Sequence, residues 1–455
     1  MLPLRNFFIF HHHQKIPLLT TFIICTFFTS VCAVVSIPGV INYDPDETAS
    51  FSELINSRGY LLEEYHVLTE DGYILTLHRV IPPGYDPSTY SLTRKPVLAM
   101  HGIFNDATYF YYNSPHLHSN NSYCGDNLGF CTLKSGRYDL WAANSRGNGR
   151  STGHLRYTEK NKEFWKFSWD HMAEYDLPAL IDFILARTGH RTLGYVAFSQ
   201  GCAQAWAMLS LKPSYAYKMR PFINWAPAVF IGRATSLIGE PLRRLWPIGM
   251  PPGRFYPIGN QLSNSLQQWY ICRTEAGAAF CSRLIDSLFG KSNVNITRIP
   301  TYANWGPNPS SNWQVAHFGQ NGQAGRFRRF DYGSTGANMA KYGLPTAPDY
   351  PLKRIPNGFK AVVMYGASDA VVVPRDIQQL LGELRAAGVD VTPHLVPSST
   401  WSHWDFMLGL NAGLYVHDDT LHYLDMYSVN DHVSLRSGAG VLTPFYTSYL
   451  GYSYL

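Results

Sequence analysis

The chain has 455 residues, of which 45% are hydrophobic, 15% aromatic and 15% charged. The charged share lies well below the ~25% of ordinary soluble domains, which excludes a disordered chain and a charge-laced coiled coil. A formal charge of +5, with no basic run in the body, leaves no nucleic-acid footprint.

Residues 1–36 have the layout of a secretory signal peptide. Arg5 and Lys15 form a positive region, Ile16 to Phe28 is largely apolar, and small residues follow up to Ser36. An uncleaved anchor is the rival, since Ile16 to Ser36 nearly suffices to span a bilayer. Cleavage predicts a secreted or endolysosomal-lumen protein, where disulfides form. Cys124 with Cys131, and Cys272 with Cys281, are the candidate pairs by proximity, and Cys202 is left as a buried thiol. Asn120 and Asn295 head Asn-x-Ser/Thr sequons and are the glycosylation candidates, expected at the surface.

In the body, Glu64 to Thr69 and Tyr73 to Val80 read as strands joined by a Glu70-Asp71-Gly72 turn. Pro96 to Met100, Tyr138 to Ala143 and Thr192 to Phe198 are further strands. Helical spacing runs over Asp170 to Arg187 and Cys202 to Leu211. Pro221 to Ala226, Phe359 to Tyr365 and Val389 to Val396 are strand-like, with helices at Pro374 to Ala387 and Val416 to Met426. Strands alternating with helices predict an α/β fold, a mostly parallel sheet covered on both faces.

The alternation breaks between about 222 and 355, a stretch rich in Pro, Gly, Asn and Trp that carries 14 Lys and Arg against five Asp and Glu. It reads as a cap inserted into the sheet. The expected organisation is a signal peptide over 1–36, core over 37–221, cap over 222–355, and the rest of the core with a C-terminal tail over 356–455.

Ala197-Phe198-Ser199-Gln200-Gly201 sits at a strand-to-helix junction, with small residues flanking a serine as a nucleophile elbow requires. A serine needs a base, and the base an orienting carboxylate. Asp369 and His403 follow in that order, each after a strand. Asp405 is a rival acid, read instead as holding the His403 loop, and Asp376 as steadying a helix start. The N–H groups of Ile103, after the strand ending in His101-Gly102, and of Gln200 are the candidate oxyanion donors. No metal-ligand spacing and no phosphate loop occurs, so no metal or cofactor is expected.

These motifs together resemble the acid lipase family of α/β-hydrolases over residues 52–427. The resemblance is carried by Glu64-Tyr-His-Val-Leu-Thr-Glu-Asp-Gly-Tyr-Ile-Leu75, His101-Gly102-Ile103, Asn144-Ser-Arg-Gly147, Glu174-Tyr-Asp-Leu-Pro-Ala-Leu-Ile-Asp182 and Ser402-His403-Trp404-Asp405-Phe406. It implies Ser199 as nucleophile, His403 as base and Asp369 as acid, beneath a cap with a mobile lid. It implies a lipase acting on triglycerides or sterol esters at a lipid–water interface, which the basic cap would meet on a membrane or droplet. Two departures stand out: Ala197-Phe198 replaces the family's Gly-His, and Phe289 stands where the family has one cap cysteine, with Cys272 available instead. The alternatives are a small-ester esterase or other serine hydrolase of the same fold, and a non-catalytic lipid carrier.

Overall fold

The computed structural model describes residues 41, 43–87, 89–113, 122–237, 250–257 and 271–428, and a short pairing of 23–24 with 33–34. The leader over 1–36, apart from that pairing, and Asn120 lie outside the described residues. Eight strands build the main sheet: β1 (Leu61–Leu68), β2 (Tyr73–Ile81), β3 (Lys95–Met100), β4 (Tyr138–Ala143), β5 (Leu193–Phe198), β6 (Met219–Trp225), β7 (Lys360–Tyr365) and β8 (Asp390–Leu395). Their order is β8-β7-β6-β5-β3-β4-β2-β1, and a two-residue strand, Gly153–His154, pairs with β2. Strands β3 to β8 pair in parallel, while β1, β2 and β4 pair antiparallel at one edge.

Side chains alternate across the sheet as the period of two demands. Leu193, Tyr195 and Ala197 of β5 enter one core, with Leu98 and Met100 of β3. Val196 and Phe198 enter the other, with Val97 and Ala99. Burial on both faces explains why these strands read as continuous apolar runs. The predicted elements recur with ends shifted by a few residues. One interior departure is a π-turn at Met172–Asp176, ahead of the helix Leu177–Thr188. Pro178 has no N–H to give the Glu174 carbonyl, and Lys212 Nζ donates to that oxygen at 2.7 Å instead.

Strand β6 runs to Trp225, so the chain leaves the sheet only after it rather than at 222. Before β7, among the described residues, come the α-helices Glu275–Phe289, Ile299–Trp305, Asn312–Ala324 and Thr335–Tyr342. The arginines of this excursion turn largely toward acids outside it. Arg233 pairs with Asp376, Arg254 with Glu159, Arg273 with Glu47, Arg298 with Asp44 and Asp46, and Arg329 with Asp170 and Glu174. Much of the positive surplus therefore staples the excursion to the sheet domain. These paired arginines do not supply the outward basic face that the charge count suggests. Asp376 does lie in the first turn of the helix Pro374–Ala386, and its carboxylate also takes the Arg233 N–H at 3.0 Å.

His317 belongs to the same anchorage. Its ring stacks on Trp169 with centroids 3.7 Å apart, and Nε2–H donates to the Arg328 carbonyl at 2.8 Å. Burial pushes His317 and the neighbouring His171 down to about 4. Between the unfolded value near 6.5 and about 4 the unfolded chain binds more protons, so stability is full above 6.5 and is lost as pH falls. The expected loss is up to roughly 3 kcal/mol per histidine, at about 1.4 kcal/mol per pH unit. The urea midpoint is expected to change with more positive slope per pH unit between pH 4.5 and pH 7 in the parent than in His317→Gln. An unchanged slope in the variant would assign the acid sensitivity elsewhere.

Candidate active site

The sheet register sets the site. Strand β3 lies between β4 and β5, so the loops after β3 and β5 leave the sheet in different directions, the point where α/β sheets open a crevice. Met100 pairs with Ala197, which brings His101-Gly102-Ile103 beside Ser199-Gln200. Phe198 and Met364 both pair with Trp225, and Tyr365 with Leu395, so the ends of β5 to β8 are level.

Ser199 closes β5 with φ +54° and ψ −112°, a conformation that a non-glycine residue adopts only under constraint. Its N–H donates to the Trp225 carbonyl at 2.9 Å, and the helix Gln200–Leu211 starts at the next residue. Gly201 makes this turn possible: a Cβ there would lie 2.6 Å from the Met100 carbonyl oxygen. After β7, a Cβ on Gly366 would lie 2.1 Å from the Trp401 carbonyl oxygen, and the Ser368 N–H donates to that oxygen at 3.0 Å. The loops after β7 and β8 are thereby stitched together.

The three sequence-predicted side chains converge. Ser199 Oγ lies 3.0 Å from His403 Nε2, and His403 Nδ1 lies 2.8 Å from Asp369 Oδ2. All three residues are at most 4% exposed. An ionised carboxylate only accepts, so Nδ1 carries the proton and Nε2 is left to accept from the serine hydroxyl. Asp369 Oδ1 takes the N–H groups of Val371 and Val372 at 2.8 and 2.7 Å, which fixes the carboxylate plane. The Phe198 ring packs against the imidazole with centroids 4.9 Å apart, so its bulk supports His403.

Among the described residues, neither the Ile103 nor the Gln200 N–H meets a protein acceptor. His101 organises the Ile103 loop. Its Nδ1 lies 2.7 Å from the Gly102 carbonyl, and its Nε2 accepts from the Ser145 N–H at 3.0 Å and from Asn148 Nδ2 at 3.1 Å. Burial pushes its pKa below the usual value, which keeps the ring neutral and able to accept. Gln200 is held by Gln314 of the helix Asn312–Ala324, whose Nε2 donates to Gln200 Oε1, a long-range contact with no sequence signal.

Asp405 does not touch the imidazole nitrogen. Its carboxylate takes the N–H groups of Ser402 and Asn293, each at 2.8 Å, and holds the loop as read from the sequence. Burial pushes it up to about 7.

Both proximity pairs are disulfides, Cys124–Cys131 and Cys272–Cys281, and Cys202 is free and buried. Phe289 packs on Trp404 with centroids 5.0 Å apart. The surface expectation fails at Asn295: it is 6% exposed, and its Oδ1 caps the turn by accepting from Thr297 N–H and Oγ1.

A family model described as "Partial alpha/beta-hydrolase lipase region" matches residues 51–114, and one described as "alpha/beta hydrolase fold" matches 95–218. "Lipase member K" of Homo sapiens is 31% identical over 86% of this chain and 94% of that protein. "Gastric triacylglycerol lipase" of Bos taurus is 31% identical over 84% and 92%. The chain belongs to the acid lipase family of α/β-hydrolases. "Lipase member M" of Homo sapiens, 33% identical over 85% of this chain and 88% of its own, is a further member with which it aligns over most of its length.

Proposed function

We propose that this chain hydrolyses the carboxylic ester bonds of acyl lipids, triacylglycerols or sterol esters, through Ser199, His403 and Asp369. The observation that carries the reading is the unbroken line from Asp369 Oδ2 through both His403 nitrogens to Ser199 Oγ, at 2.8 and 3.0 Å. Ser199 Oγ attacks the ester carbonyl carbon while His403 Nε2 takes its proton. The carbonyl oxygen becomes an oxyanion between the Ile103 and Gln200 amides. The intermediate then expels the alcohol, which takes the proton back from His403, and leaves an acyl-serine. Water, deprotonated by the same imidazole, releases the fatty acid. Asp369 holds the tautomer and stabilises the imidazolium.

The residues between β6 and β7 act in this reading as a cap over the site, with the lipid surface as its contact. A secreted or endolysosomal destination accords with the two disulfides. Among the described residues no helix is long and apolar enough to cross a membrane.

The test is hydrolysis of emulsified triolein, cholesteryl oleate and p-nitrophenyl butyrate at acidic and neutral pH. Turnover of an emulsified long-chain ester is the expected result. Turnover of the butyrate alone would make the protein a small-ester esterase, and no turnover of any ester by folded protein would make it a carrier.

A further inference from the structure

One segment of the excursion touches both loops that carry the acid and the base. The Ala370 N–H, next to Asp369, donates to the Phe289 carbonyl at 3.1 Å. The Phe289 ring meets Trp404, next to His403. Gly290 passes so close that a Cβ would lie 2.0 Å from the Ser368 carbonyl oxygen. Four residues after Phe289, Asn293 plugs into the His403 loop. Its N–H donates to Asp405 Oδ1 at 2.8 Å, and its Nδ2 to Asp405 Oδ2 and to the Thr400 carbonyl, each at 3.1 Å. Its Oδ1 accepts from Thr400 Oγ1 at 3.0 Å, and its carbonyl takes the Leu410 N–H at 2.8 Å. Val294 then bridges to Gly409.

We propose that Asn293 and Asp405 are positioning residues, a latch by which the inserted segment holds His403 in register with Ser199. The proposal rests on the triad reading above. Its physical basis is the placement of the Asp405 carboxylate. It takes the Ser402 N–H, immediately before His403, and the backbone and side-chain N–H groups of Asn293, so one carboxylate closes the Ser402–Asp405 turn that contains His403 and ties it to the inserted segment. The side chain of Asp405 is fully buried, which makes each of these bonds costly to lose. A loop carrying a general base needs such support, because a shift of about 1 Å at the reacting groups costs on the order of 10²-fold in rate.

Asn293→Ala is expected to lower kcat on p-nitrophenyl butyrate by roughly 10- to 100-fold, with KM changed by less than about twofold. The rate of Ser199 labelling by a fluorophosphonate probe is expected to fall in parallel. Asp405→Asn is expected to act in the same direction. Both Asp405 oxygens accept backbone N–H groups, so the amide of Asp405→Asn must turn an NH₂ onto one of those donors. Thr400→Val, which loosens Asn293 by one hydrogen bond, provides a milder variant should Asn293→Ala fold poorly, with a kcat loss of a few-fold. Folded fraction is measured by thermal unfolding alongside. An unchanged kcat in Asn293→Ala, or a loss matched by lost folded protein, would overturn the latch. If the parent protein itself took up no probe, the triad reading would fail instead, and the two failures are distinguishable.

Discussion

Ser199→Ala is expected to abolish fluorophosphonate labelling and to lower kcat for ester hydrolysis by on the order of 10⁶. The variant removes one oxygen, and with it the hydrogen bond to His403 Nε2. The Ser199 N–H bond to the Trp225 carbonyl and the close approach at Gly201 are untouched, so the melting temperature should move by no more than a few degrees. A residual rate of about 10³–10⁴ over water is compatible with the oxyanion amides acting alone. No neighbour replaces the hydroxyl. The nearby thiol, Cys202, is fully buried, points to the Ala197 carbonyl and has its pKa raised by burial. A variant that kept hydrolysis within tenfold of the parent would show that Ser199 is not the nucleophile.

Much of this site was legible in the chain because each of its three side chains follows a strand. β5 and β7 read as apolar runs, the half-exposed edge strand β8 less so, and strand C-terminal ends mark where ligand-facing loops begin. Ser199, Asp369 and His403 could be placed without knowing one distance. What stayed hidden depends on contacts between residues far apart in sequence. Gln314 lies 114 residues from Gln200 and Asn293 112 from Asp405, and neither carries a local pattern. The arginines of the excursion show the same limit from the other side. A count of 14 basic against five acidic residues measures surplus but not direction. Only the fold turns Arg298 onto Asp44 and Asp46, or Arg329 onto Asp170. The sequon at Asn295 is the plainest case: a three-residue pattern cannot show that its amide is buried and caps a turn.

Asp369→Asn is expected to leave the fold intact and lower kcat by about 10⁴, the magnitude seen when a triad acid becomes an amide. The reasoning is one of donors and acceptors. Two backbone N–H groups, Val371 and Val372, converge on one side of the residue and require an oxygen there. An asparagine satisfies them with its carbonyl and must present its NH₂ toward His403 Nδ1. That nitrogen then has to accept, so the ring proton moves to Nε2, where it faces the Ser199 hydroxyl and cannot take the serine's proton. Binding of the ester is unaffected, so KM should change by no more than a few-fold while kcat collapses. The same substitution decides between the two acids near the imidazole. If Asp369→Asn kept activity within about tenfold, the orienting role would belong to another group. Asp405, whose carboxylate is already taken up by Ser402 and Asn293, would have to turn away from both to assume it.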